Sequence, residues 1–559
     1  MRIHAWRWGR VLGALGLSLA LPFTVYAAEG GAAEAKSAQV QPAAPQPEAA
    51  PSPLLGPVKV SNVHVRKEVS KLNRKEVASL RKGVQVMKSR PASDPTSWTY
   101  QAAMHGSYTE PPLADWNQCQ HGSYFFFAWH RMYLYYFERI LRASSGDPQL
   151  ALPYWNYSQK ARSHRQLPLP FRQPAAASNP LYVAERDPNI NAGTGVLPLG
   201  ATSTAAAFAT TNFTGAAAVP SFGGQQVPGP FHFDSPHGQL ESQPHDIIHV
   251  LVGGDTGWMS DPNTAAQDPI FYLHHANIDR LWKRWLDLGG GRANPTGDAV
   301  FMTTRFYFYD ETGARVSLSG AQILDTVRQL GYRYDDDPVA PSPLVASASR
   351  APLPPGQSVR TAADVTPPPA PAANPEVLGS TAKPPAPGTP ASDLQTGPAI
   401  PLGTAPVNLS LSLKPQAQAR FQELARAPEG KARPILLNVE GIEVDRTPGV
   451  YYEIYVDLPQ GEKPDFSSPS YVGNLAFFAL NHPHGGHAGH PAEGGEKPRV
   501  FRTYDITRVV RGIQARHQWS NDVKVTLVMR GVVDEKTEKQ MPVSQGTKAR
   551  IARVDIVGL

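Results

Sequence analysis

The chain has 559 residues, with 53 Lys and Arg against 47 Asp and Glu, and a net charge of +6. That length is too great for one ordinary domain and predicts two or three. The small charge and the lack of a dense basic run argue against nucleic acid as a partner, and a single cysteine, Cys119, rules out an internal disulfide framework.

In chain order, Arg2, Arg7 and Arg10 precede an apolar run from Val11 to Leu21, too short to span a bilayer comfortably, and Val25-Tyr26-Ala27 forms a small-x-small cleavage site. Residues 1–27 therefore read as a secretory signal peptide. The mature protein is expected to be secreted or periplasmic, with no stable membrane span after signal removal. Residues 28–57, mostly Ala, Pro, Glu and Gln, read as a disordered linker. Residues 58–337 form the first folded block, mainly helical. KEVASLRKGVQVMK and the segments at 121–142 and 267–287 carry apolar residues at helical spacing, whereas 190–230 reads as loop. Residues 338–403 are a Pro/Ala-rich linker in which Arg350 and Arg360 are expected cut sites. Residues 404–559 carry alternating β-branched runs, NLSLSLK, PILLNVEGIEV, VYYEIYVDL, KVTLVMR and ARIARVDIV, which predict an all-β sandwich or barrel.

Ten of the 17 histidines lie between 105 and 275. His245 and His249 are four residues apart, so on a helix they share one face and can bind one ion; His274 and His275 offer a third ligand. His121 and His130 are nine residues apart and would face opposite ways on one continuous helix. Ser123 as an N-cap leaves His121 in the preceding loop and His130 within the first turns, with His105 available as a third ligand. Two triads result. Imidazole suits copper and zinc, and copper binds such sets more tightly. HDIIH differs from the zinc-protease motif HExxH in having Asp246 where the general-base Glu would stand. For any one of these histidines, a hydrogen-bonded place in the core is the plain alternative.

HGSYFFFAWHRMYLYYFE, from His121 to Glu138, resembles the first copper signature of the tyrosinase and polyphenol oxidase family, and DPIFYLHHANID, from Asp268 to Asp279, resembles the second. FYFYDETG at 306–313 and Tyr332-Arg333-Tyr334 extend the resemblance over most of 58–337. It implies a helical catalytic domain with a four-helix bundle core holding two copper ions, a type-3 dicopper centre. His105, His121 and His130 would bind one copper, and His245, His249 and His275 the other, with His274 a neighbour. Arg131, Asp279 and Arg280 would anchor the ligand helices. Cys119 and His121 match the Cys-x-His spacing that carries a thioether in fungal and molluscan members. Glu241 would hold a water near the second copper, and Asp246, where many monophenol-hydroxylating members have Asn, would orient that water or act as a base; Phe271 and Val250 would line the pocket.

VEGIEVDRTPGVYYEIYVDL, YVGNLAFF and VKVTLVMRG resemble the C-terminal shielding domain of plant polyphenol oxidases, which implies a latent proenzyme. The expected reaction is copper-dependent oxidation of phenols by O2. It comprises ortho-hydroxylation of monophenols, oxidation of o-diphenols to o-quinones, or both. A catechol oxidase or o-aminophenol oxidase without monophenolase activity, and a hemocyanin-like O2-binding protein, are the alternatives. The histidine-rich loop His482–His490 reads as a polar loop that could handle copper.

Overall fold

The computed structural model describes residues 63–215, 219–232, 237–337, 376–381, 399–426, 433–480, 500–516, 522–543 and 548–558. The expected signal peptide, the linker at 28–57, both cut sites and the loop His482–His490 lie outside them. Among the described residues, no helix is long and apolar enough to cross a membrane.

The first block opens with β1 (His64–Arg66) and α1 (Arg74–Ser89). Asn73 and Glu76 form a reciprocal capping box at the start of α1, which satisfies donors that a bare helix end would leave exposed. The ligand-bearing helices follow: α2 (Trp98–His105), α3 (Phe125–Ser145), α4 (Asp246–Gly253) and α5 (Ile270–Asp287). Between α3 and α4 the chain is mostly loop, as expected, with short turns of helix and a two-residue strand, β2 (Gly195–Val196). α3 is buried nearly all round, so its FFFAWHRMYLYYF run sits in the middle of the core. The block closes with β3 (Tyr332–Tyr334), which pairs in parallel with β1, His64 opposite Tyr332.

That closure is tied by charge. Arg131 and Arg66 both reach Asp279, at 2.5 and 3.4 Å, and Arg66 also bonds Glu138 at 2.7 Å. The hydroxyls of Tyr332 and Tyr334 donate to Asp279 at 2.6 and 2.5 Å. The expected anchoring role of Arg131 and Asp279 has this geometry. Arg280, also buried on α5, pairs with Asp336.

The second block is built on eight strands: β4 (Glu376–Ser380), β5 (Val407–Leu413), β6 (Ile435–Glu440), β7 (Tyr451–Val456), β8 (Tyr471–Leu475), β9 (Phe501–Asp505), β10 (Asp522–Arg530) and, after the short β11 (Val533–Asp534), β12 (Arg553–Gly558). They pair in the order β8-β7-β10-β5-β4-β12-β6-β9, every neighbour antiparallel. The two edge strands approach each other, with Tyr504 of β9 donating to the carbonyl of Asn474 in β8 at 2.9 Å, so the sheet is nearly a closed barrel. Two helices, Pro415–Arg426 and Thr507–Arg516, accompany it. β4 and the strand Ile400–Leu402 fall inside residues 338–403, read from sequence as linker. The five residues of β4 contain no proline, so their amides are able to join the ladder despite the proline-rich surroundings.

The two blocks are packed together. β11 pairs antiparallel with β2, Val533 opposite Val196. Glu538 takes Nε of Arg162 at 2.9 Å and also pairs with buried Arg165. Tyr451, Ala476 and Val532 join the same apolar core as the ligand helices.

Candidate metal centre

His105 ends α2, and its Nδ1 lies 2.9 Å from the carbonyl of Pro262. His121 sits in the turn before α3, as its spacing from His130 demands; the N-cap is Tyr124, with no side-chain cap bond, and the expected cap Ser123 stands one residue earlier, accepting from the amide of Phe125 at 3.3 Å. His130 is in the second turn, its Nδ1 2.8 Å from the carbonyl of Phe126. The three rings converge with centroids 5.2–5.6 Å apart.

His245 enters α4 from a wide π-type helical turn at Glu241–His245, kinked at Gln243, and His249 follows one turn later with its Nδ1 2.8 Å from the carbonyl of Met259. His275 comes from α5; its Nε2 is 3.3 Å from Nε2 of His249. Ring centroids in this triad are 4.6–5.5 Å apart. The triads face each other, and His130 and His275 stack at 4.4 Å. His274 also points an edge into the second group, while its Nδ1 meets the hydroxyl of Tyr157 at 2.9 Å.

Each group offers ligand atoms all within 4.8 Å of one another. Nε2 of His105, His130, His245 and His274 is buried without a hydrogen-bond partner. Such a cluster is costly unless something accepts the lone pairs. Burial pushes His105, His121, His130, His249 and His275 well below the usual imidazole range, so the rings are neutral at pH 7 and able to donate to a cation. A soft-to-borderline divalent or cuprous ion fits this all-nitrogen set.

The site is walled by aromatic rings. Phe271 lies 4.2 Å from His275 and 4.8 Å from His105, and Phe126 lies 4.6 Å from His130 and 4.8 Å from His245. Val250, the next residue on α4, is fully buried. Glu241 is fully buried and accepts from the amide of Gly122, next to His121, at 3.0 Å. Burial and the neighbouring Asp246 push Glu241 well above the ordinary carboxylate range, whereas His237 and His245 hold Asp246 below it despite its burial. Asp246 does not face open space: its two oxygens are taken by Nδ1 of His245 and Nδ1 of His237 at 2.9 and 2.7 Å. Sγ of Cys119 is buried, 3.4 Å from Nδ1 of both His121 and His232.

Comparison with known proteins adds to this geometry. Residues 95–288 match the common central domain of tyrosinase, and residues 296–342 match the polyphenol oxidase middle domain. The chain carries a tyrosinase central domain followed by a polyphenol oxidase middle domain. Residues 395–545 match a domain of unknown function. Tyrosinase HcTyr1 of Hahella sp. is 29% identical over 509 residues, covering 85% of this chain and 97% of that one. A chloroplastic polyphenol oxidase of Malus domestica is 29% identical over 482 residues, covering 80% of this chain and 72% of that one. Latent apple tyrosinase shares the fold with a TM-score of 0.60 at 22% identity, over 92% of this chain and all of that one. Latent aurone synthase follows with a TM-score of 0.57 at 21% identity. The dicopper centre of tyrosinases suits both histidine groups.

One neighbour of this tyrosinase-type centre comes from the second block. Phe478, just past β8, stacks on His249 at 4.1 Å and also lies 5.6 Å from His245 and 6.0 Å from His121. The sequence reading included Phe478 only within a strand-like run. Phe126, His237 and Arg502 were likewise missed. The double phenylalanine ending an apolar strand was the available signal for Phe478.

Proposed function

We propose that this protein is a secreted or periplasmic polyphenol oxidase, held latent by its C-terminal block. It oxidises o-diphenols to o-quinones and hydroxylates monophenols at the ortho position. The observation that carries this reading is the pair of facing, buried histidine triads, in which Nε2 of His105, His130 and His245 has no hydrogen-bond partner. His105, His121 and His130 hold one copper, and His245, His249 and His275 the other. When bound, the two ions exchange electrons with dioxygen, which becomes the oxidant for the phenol.

The chain does the rest by orientation and exclusion. Backbone carbonyls fix His105, His130 and His249 through Nδ1, which directs Nε2 to the centre. Phe126 and Phe271 keep water out and leave flat apolar faces for an aromatic substrate. Glu241 is the carboxyl suited to hold the proton a phenol gives up, since burial and the neighbouring Asp246 raise its affinity for a proton. Phe478 fills the space over His249 that a substrate ring needs, which supports latency.

Cys119 and His121 form the thioether in this reading. The new carbon–sulfur bond replaces S–H and a ring C–H, and the two electrons pass to dioxygen. The contact at 3.4 Å supports it. Intact mass should fall by two hydrogen atoms on copper loading in air, and peptide mapping should assign the link to His121 and not His232.

Oxygen uptake by the copper-loaded chain, with a simple monophenol and then a catechol, tests the function. It is run before and after proteolysis between Asp337 and Glu376. Uptake with both substrates, rising after cleavage, is expected. Uptake with catechol alone would restrict the enzyme to diphenols, and no uptake in any state would leave an oxygen-binding protein.

A further inference from the structure

Asp246 is held from both sides. It begins α4, where the helix N-terminus favours an anion. Its Oδ1 accepts from Nδ1 of His245 at 2.9 Å, and its Oδ2 accepts from Nδ1 of His237 at 2.7 Å. Nη2 of Arg502, on β9 of the C-terminal sheet, stands 3.8 Å from that same Oδ2 and 3.5 Å from the His237 ring. His237, Arg502 and Thr503 line a cleft between the two blocks.

This differs from the support given to three of the other ligands. His105, His130 and His249 lean on neutral carbonyls, whereas His245 leans on a carboxylate. A carboxylate on Nδ1 fixes the tautomer and makes the opposite nitrogen a stronger donor. Keeping that charge buried costs several kcal/mol unless it is paired. His237 and Arg502 supply the pairing, and Arg502 supplies it from outside the catalytic block.

We propose that Asp246 is a positioning residue for His245, and that Arg502 steadies it across the block boundary. The C-terminal sheet then contributes to the ligand geometry of the site that it covers. Asp246 is not free to act as a base toward substrate. The inference rests on the dicopper reading above and specifies how one of its ligands is oriented.

Chelator competition on the full-length chain, with copper as the probe and retained copper counted per chain, tests it. The parent should retain one ion per triad; failure there would sink the dicopper reading itself, whatever Asp246 does. Asp246→Ala should weaken one ion by about ten- to a hundredfold and leave the other at parental affinity. Asp246→Asn keeps an acceptor for His245 and should fall between them. It also serves as the measurable variant if the alanine protein does not fold. Arg502→Gln should weaken the same ion by a smaller factor. Parental affinity at both sites in Asp246→Asn and Asp246→Ala would overturn the proposal, as would equal weakening of both sites. An unchanged Arg502→Gln beside a weakened Asp246 variant would overturn the contribution of the C-terminal sheet.

Discussion

One oxygen of Asp279 accepts from Arg131, and the other receives the hydroxyls of Tyr332 and Tyr334 and faces Arg66. Burial alone would raise this carboxyl, but Arg131, Arg66 and the two hydroxyls together hold it below the ordinary range. A depressed folded value means that its stabilisation is fully present above the unfolded value, about 4, and is lost as pH falls through the lower folded one. Thermal melts should therefore decline steeply below about pH 4 in the parent and less so in Asp279→Asn. That variant should lose about 3–5 kcal/mol at pH 7, because it leaves the buried guanidinium of Arg131 without its carboxylate, while Arg66 keeps Glu138. Phe478→Ala makes the opposite trade. It should lower the melting temperature while raising catechol turnover of the uncut chain several-fold, and unchanged turnover would remove Phe478 as the occluding group. Asp279 was legible because it closes a motif. Phe478 and Arg502 were not, because their meaning comes from contacts across hundreds of residues, and His237 was not, because its bond to Asp246 depends on how the chain turns back within nine residues.

The ligand helices have more buried nitrogen than their own hydrogen bonds can satisfy. α3 and α5 meet through the stacked rings of His130 and His275, so the core of the helical block is polar at its centre. A metal that binds only the folded state adds stability by mass action, about 2.7 kcal/mol when free copper is about 100 times its Kd. Copper loading should raise the melting temperature and chelation should lower it again; an unchanged melt would mean that the triads do not bind. Both of these helices were readable from apolar spacing, and the turn before α3 followed from the nine-residue gap between His121 and His130. β4 was not readable, because five residues between prolines carry too little pattern to be told from linker. Its pairing with β12 and β5 decides its state.

At the scale of the molecule, the C-terminal block is attached by more than the chain between Asp337 and Glu376. It shares a strand pair, the Glu538 contacts with Arg162 and Arg165, and part of the apolar core. Cutting that connection should leave two fragments that co-elute in size exclusion at high concentration. Glu538→Gln should make them separate more readily. The ring of Phe478 can then be seen as a ligand carried by the enzyme. While the chain is whole, a phenol competes with an occupant whose effective concentration is set by the tether and does not change on dilution. Once the chain is cut, that occupant becomes an ordinary inhibitor with its own dissociation constant, and activity per molecule should climb as the protein is diluted.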